Sequence, residues 1–168
     1  LKYNQMHLFS LIQLQDLNKL EEGIEAYKEA LAIKPDFAEA FNNMGNALKG
    51  QYKLEEAMEA YRNALAIKPD YVDAYDNMGT ALQLQGKLEE AIEAHSKALA
   101  IKPDCAGAHH NLSFALISNG RLKEGLEEYE WRWKTKRSGI TMRHFSKPMW
   151  DGKEILKGKK ILLWCEQG

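Results

Sequence analysis

Long apolar runs are missing from this sequence: nowhere does it hold the roughly 18 consecutive apolar residues that span a membrane. The charged-then-apolar pattern of a secretory leader is missing too. Cysteine is nearly absent, with only Cys105 and Cys165 and no Cys-x-x-Cys pair. That excludes a disulfide framework and a zinc-type spacing, and it fits a reducing, cytoplasmic setting. Five histidines are scattered, and the adjacent His109 and His110 point to different sides of a helix, so neither has the i, i+4 spacing of metal ligands. No Gly-x-Ser-x-Gly elbow, Walker loop or carboxylate pair in an apolar setting occurs. The chain is therefore not expected to be an enzyme, and no metal or cofactor is expected of it.

Proline is also scarce, and its placement is informative. Of four prolines, Pro35, Pro69 and Pro103 are 34 residues apart, each inside the heptapeptide Ala-Leu-Ala-Ile-Lys-Pro-Asp. Leu20-Glu21-Glu22, Leu54-Glu55-Glu56 and Leu88-Glu89-Glu90 keep the same step, with Leu122-Lys123-Glu124 as a fourth copy. A fixed period of 34 is the signature of stacked helix-turn-helix units. Proline lacks an amide donor and clashes with the preceding turn, so each one ends a helix. Asp36 with Glu39 has a capping-box spacing for the next helix. First helices are expected near 4–16, 38–50, 72–84 and 106–118, and second helices near 20–33, 54–67, 88–101 and 122–135. The glutamate pairs open the second helices, where carboxylates offset the positive end of the helix dipole.

Residue types at this step resemble the tetratricopeptide-repeat (TPR) family. Phe41, Met44, Gly45, Leu48, Ala57, Tyr61, Ala64 and Pro69 fall on its pattern, as do Tyr75, Met78, Gly79, Leu82, Ala91, His95, Ala98 and Pro103. The fourth copy reads His109, Leu112, Ser113, Leu116, Gly125 and Tyr129, with Arg132 and Arg137 replacing the Ala and Pro. The first matches only in its second half, at Gly23, Tyr27, Ala30 and Pro35. The resemblance implies an all-α, right-handed superhelix of about four repeats, near 4–37, 38–71, 72–105 and 106–137. Residues 1–137 would form the array. Residues 138–168 would form an irregular linker with one short β-strand.

Successive helical residues turn by about 100°, so the packed arc of 38–50 is Phe41, Met44, Gly45 and Leu48. The opposite arc holds Glu39, Asn42, Asn43, Asn46 and Lys49; its third-repeat counterpart holds Asp73, Asp76, Asn77, Thr80 and Gln83. In the fourth repeat it holds Gly107, His110, Asn111, Phe114 and Ile117. In TPR arrays first helices line the concave side, so these arcs are the candidate groove for an extended peptide or protein ligand. Asn43, Asn77 and Asn111 recur at the 34-residue step and would form a ladder, which Phe9 interrupts in the first repeat. Asparagine is a mediocre helix former, so three in register suggest a use. A carboxamide has donors and an acceptor, and can pair with both sides of a peptide unit. The TPR arm of O-linked N-acetylglucosamine transferase-like proteins is similar, and the resemblance implies that its asparagine ladder is a guide to this one. Asp73 and Asp76 add an expected preference for basic ligands.

Charge divides the chain. Residues 1–130 carry 13 Lys/Arg against 21 Asp/Glu, a balance of −8; residues 131–168 carry 10 against 3, a balance of +7. Trp131 to Lys147 has six Lys/Arg among aromatic rings, and reads as a cap on the solenoid rather than a nucleic-acid surface. Tyr129-Glu130-Trp131-Arg132-Trp133, Phe145, Pro148, Trp150, Gly152 and Gly158 to Gly168 resemble the junction where bacterial TPR arrays enter a glycosyltransferase-like domain. That resemblance implies a substrate-presenting arm whose catalytic domain is missing. A first residue Leu1 and an end at Gly168 in mid-motif are what an excerpt of a longer protein would show. An orphan strand at Lys160–Trp164 offers an edge for self-association. So does the apolar first helix, with Met6, Leu8, Phe9, Leu11, Ile12 and Leu14.

Overall fold

The computed structural model describes residues 2–131, with side chains described from Leu17 onward. The expected strand and the junction motifs after Trp131 lie outside the described residues. Seven helices follow one another: α1 (Lys2–Ile33), α2 (Ala38–Gly50), α3 (Leu54–Ile67), α4 (Val72–Leu84), α5 (Leu88–Ile101), α6 (Ala106–Ser118) and α7 (Leu122–Tyr129). Among the described residues no strand occurs, and the fold is an α-solenoid of antiparallel helix pairs. The final helix is shorter than 122–135, giving way to a 3₁₀ turn at residues 130–131.

Contacts between neighbouring units fix which helices are inside. Each second helix packs on the next first helix, α3 on α4 and α5 on α6. First helices also touch across units, α2 with α4 and α4 with α6, whereas α3 does not reach α5. Helices on the inside of a curved stack lie closer together than those outside. The first helices therefore form the concave face.

Small residues set the spacing within each pair. A Cβ built on Gly45 would lie 2.5 Å from the Tyr61 ring, and one on Gly79 would lie 2.6 Å from the His95 ring. Both rings are fully buried, with Ala57, Ala64, Ala91 and Ala98 closing around them. Methionine and aliphatic residues complete a core continuous along the stack, including Ile24, Leu48, Met58, Leu82, Ile92 and Leu116. The fourth pair inverts the arrangement. Ser113 takes the register of Gly45 and Gly79, is fully buried, and donates its hydroxyl to the His110 carbonyl at 2.7 Å. The missing volume is moved to α7, where a Cβ on Gly125 would sit 2.9 Å from the Ser113 carbonyl oxygen.

The first repeat differs from the helix-turn-helix expected at 4–16 and 20–33: α1 runs unbroken for 32 residues. Position 11, in the register of Gly45 and Gly79, is leucine rather than a small residue. Around Gly23, in the register of Ala57, a Cβ would meet nothing within 4 Å, as expected where no first helix folds back. In the other three repeats the first helix ends in a Schellman motif. Lys53 N–H bonds the Leu48 carbonyl at 3.0 Å, Lys87 the Leu82 carbonyl at 2.9 Å, and Arg121 the Leu116 carbonyl at 2.9 Å. The left-handed residues are Tyr52, Gly86 and Gly120, with φ of 59°, 74° and 81°.

The proposed capping box at Asp36 and Glu39 does not form. The N-cap is Phe37, with Tyr71 and Cys105 as its counterparts, and none makes a side-chain cap bond. Asp36 sits one residue too early. The corner is held instead by the Phe37 carbonyl, which accepts from Ala40 and Phe41, and by Lys34 over the Phe37 ring. Lys68 repeats that arrangement 4.7 Å above Tyr71.

Candidate functional site

The concave face is lined by the polar arcs of α2, α4 and α6, but their residues are not equally open. Asn43, Asp73, His110 and Phe114 are exposed; Asn46, Lys49, Asp76, Asn77, Thr80 and Asn111 are half-buried. Asn42 corrects the helical-wheel expectation, being only 4% exposed. It lies under the neighbouring repeat, because adjacent first helices approach closely on the inside of the curve.

A hydrogen-bond chain explains that burial. Asn77 Nδ2 donates to Asn42 Oδ1 at 3.1 Å, and Asn42 Nδ2 donates to Asn43 Oδ1 at 3.3 Å. One repeat on, Asn111 Nδ2 reaches both Asp76 oxygens, at 3.1 and 3.0 Å. Asn77 and Asn111 thus each bond a polar side chain 35 positions earlier, stitching one repeat to the last. A carboxamide already bonded on one side has its other side wholly open to a ligand. Asn43 retains its Nδ2 donor, whereas Asn77 and Asn111 retain their Oδ1 acceptors.

The same network reaches the core. Asp76 Oδ1 lies 2.7 Å from His95 Nδ1, and His95 Nε2 lies 3.2 Å from Gln83 Oε1. Tyr61 donates its phenol to Asn46 Oδ1 at 2.9 Å, and burial pushes that phenol well above its ordinary pKa. Thr80 Oγ1 turns back to the Asp76 carbonyl at 3.1 Å. Asp76, placed by sequence among the ligand-facing acids, is thus occupied from both sides. Asp73 is free of such bonds. Partial burial lowers the Lys49 ammonium below the ordinary lysine range, and the Asp76 charge opposes that shift. The His95–Asp76 link was not visible from the arcs. The inter-repeat bonds do have a sequence signal, the recurrence of polar residues 35 apart, Asn42 with Asn77 and Asp76 with Asn111.

The groove changes character at the fourth repeat. His110 and Phe114 meet edge-on with centroids 4.9 Å apart, and Phe114 meets Tyr129 perpendicularly at 6.2 Å. Tyr129 has the register of the buried Tyr61 and His95, but Ser113 occupies the slot their rings use. Behind this corner the His109 ring stacks on Trp131 at 3.8 Å and bonds Glu128 and the Pro103 carbonyl.

A second concavity, of about 450 Å³, lies on the outer side between α1 and α3 over α2. Ile24, Met44 and Leu48 floor it, Glu21, Glu25, Glu56 and Glu59 rim it, and the Gln51 carboxamide has no hydrogen bond within it. Asn119, at Gln51's register, donates to Glu89 at 2.7 Å; Glu21 occupies the matching place beside Gln51.

Comparison with known proteins returns the same architecture. A TPR-repeat family model matches residues 14–52 and 51–86, and a tetratricopeptide-repeat model matches 72–105. No curated protein matches the chain. A crystal structure of MamA is similar, with a TM-score of 0.64 and 26% identity over 71% of this chain and 70% of that one. A second MamA crystal structure gives 0.63 and 25%, over 74% and 70%. A MamA double mutant from RS-1 gives 0.65 at 23% identity, over 75% and 71%, a likeness of fold alone. These matches are TPR repeats and MamA, and they give no support to the glycosyltransferase resemblance. The family matches together span residues 14–105, more than half of the sequence, and the chain belongs to the tetratricopeptide-repeat family.

Proposed function

We propose that the protein is an interaction scaffold that holds an extended peptide along the concave face of α2, α4 and α6. The observation that carries this reading is the row of half-committed carboxamides, Asn43, Asn77 and Asn111, one per repeat on the inner helices. Asn43 offers a donor to a ligand carbonyl, and the other two offer acceptors to ligand amides. Each such bond contributes about 1 kcal/mol net. Three contribute about 3 kcal/mol, which alone corresponds to binding weaker than millimolar. Side-chain contacts must add the remainder.

The test is anisotropy of a fluorescent random-peptide pool with the wild type, Asn43→Ala, and the Asn43→Ala/Asn77→Ala/Asn111→Ala variant. Asn43 bonds only its neighbour, so its single variant leaves both inter-repeat stitches in place. Binding that weakens in the single variant and disappears in the folded triple variant supports the groove. Binding unchanged in both removes it and turns attention to self-association through the apolar first half of α1. The alternative of a substrate-presenting arm rests on motifs at 129–168, most of which lie outside the described residues. Its test is whether the coding sequence continues into an α/β domain.

A further inference from the structure

The concave face is polar along two repeats and aromatic in the third. At the register of His110, α2 and α4 have Asn42 and Asp76; at that of Phe114 they have Asn46 and Thr80. Only α6 presents rings there, and Phe114 is 48% exposed, with Ile117 beside it at 36%. The cause is internal to the fold. Ser113 fills the slot that receives Tyr61 and His95 in earlier repeats, so Tyr129 stays half-buried and joins His110 and Phe114. Edge-to-face rings with an open side offer a large apolar surface that ordering costs little, a favourable anchor for another large side chain.

Charge on this face is equally uneven. Asp76 is taken by His95 and Asn111, and Glu39 has Lys68 at 3.7 Å. Asp73 is exposed in the first turn of α4 and bonds neither; its charge acts on Tyr71, whose phenol burial, Asp73 and Glu39 all raise. Between Asp73 and Phe114 lie the unused Oδ1 acceptors of Asn77 and Asn111. Inner helices about 10 Å apart and seven residues of rise, about 10 Å, put the two sites roughly 14 Å from each other. An extended peptide covers that distance in about four residues.

We propose, building on the groove reading, that the ligand is an extended peptide with a Lys or Arg facing Asp73. About four residues from that base, it carries an aromatic or long aliphatic side chain seated on His110, Phe114 and Tyr129. The acid attracts the base, the rings desolvate the apolar group, and the two fix the ligand's direction.

The experiment uses the whole chain and fluorescein-labelled nonapeptides with one Arg and one Phe at separations of two to six residues, in both orders. Peptides with Phe replaced by Ser, or Arg by norleucine, are the controls. The expected result is tightest binding near a separation of four in one order, and roughly tenfold weaker binding without Phe. Phe114→Ala, a change at an exposed ring, should bring the Phe and Ser peptides together, whereas Phe114→Leu keeps part of the difference. Asp73→Asn should do the same for Arg and norleucine. Peptides that bind whatever their Phe, or a Phe preference that survives Phe114→Ala, overturn the proposal and leave the groove intact. No binding by any peptide overturns the groove reading and this one with it.

Discussion

A methyl group added at Gly79 would enter the His95 ring at 2.6 Å, and that ring has nowhere to go because it is fully buried. Alanine is a better helix former than glycine by about 1 kcal/mol, yet overpacking costs about 1–3 kcal/mol. Gly79→Ala is therefore expected to destabilise, read as a lower urea midpoint. Tyr52 is the opposite case. It adopts φ 59° with its ring 76% exposed, where the other repeats place glycine. Left-handed backbone costs a side-chain-bearing residue about 1–2 kcal/mol, part of which glycine returns as unfolded-state entropy. Tyr52→Gly should raise stability by about 0.5–1 kcal/mol. Tyr61 supplies a pH signature. Its folded pKa is raised by burial, so its contribution is complete below the ordinary tyrosine pKa near 10 and is lost as pH rises above it. Alkaline denaturation should be shallower in Tyr61→Phe, after a loss of about 1 kcal/mol at neutral pH for the bond to Asn46.

At the level of elements, three of four repeats were legible in the sequence because glycine, alanine and proline recur at the positions where geometry leaves no choice. The first repeat was not. Its second half carries the Tyr27, Ala30 and Pro35 signals, but its first half has Leu11 where the other repeats have glycine or serine, and α1 continues through Asn18. A continuous helix has a length that can be measured. Spin labels at Ser10→Cys and Glu29→Cys, with Cys105 and Cys165 changed to serine, should be about 28 Å apart; a hairpin would bring them within about half that distance. Gly23→Ala fills open space in the middle of this helix and should stabilise by about 1 kcal/mol. The caps were misread for a different reason. A capping box is a statement about one residue of register, and the backbone breaks at Phe37 rather than Asp36.

For the whole molecule, the inner face was legible as a surface but not as a network. Wheel geometry assigns Asn42, Asn43, Asn46 and Lys49 to one arc without knowing that the next repeat leans on part of it. The ladder looked free because its partners are 35 residues away. One consequence concerns mechanics. The stack is a coil whose turns are latched on their inner side, by Asn77 with Asn42 and by Asn111 with Asp76. Stretching the coil opens those latches together with the packing of α3 on α4 and α5 on α6. A ligand that lengthens the groove therefore works against about two hydrogen bonds, or about 2 kcal/mol, and one that matches the resting pitch does not. Selection among ligands of equal chemistry then becomes selection by length, with a penalty of roughly thirtyfold for the wrong repeat distance.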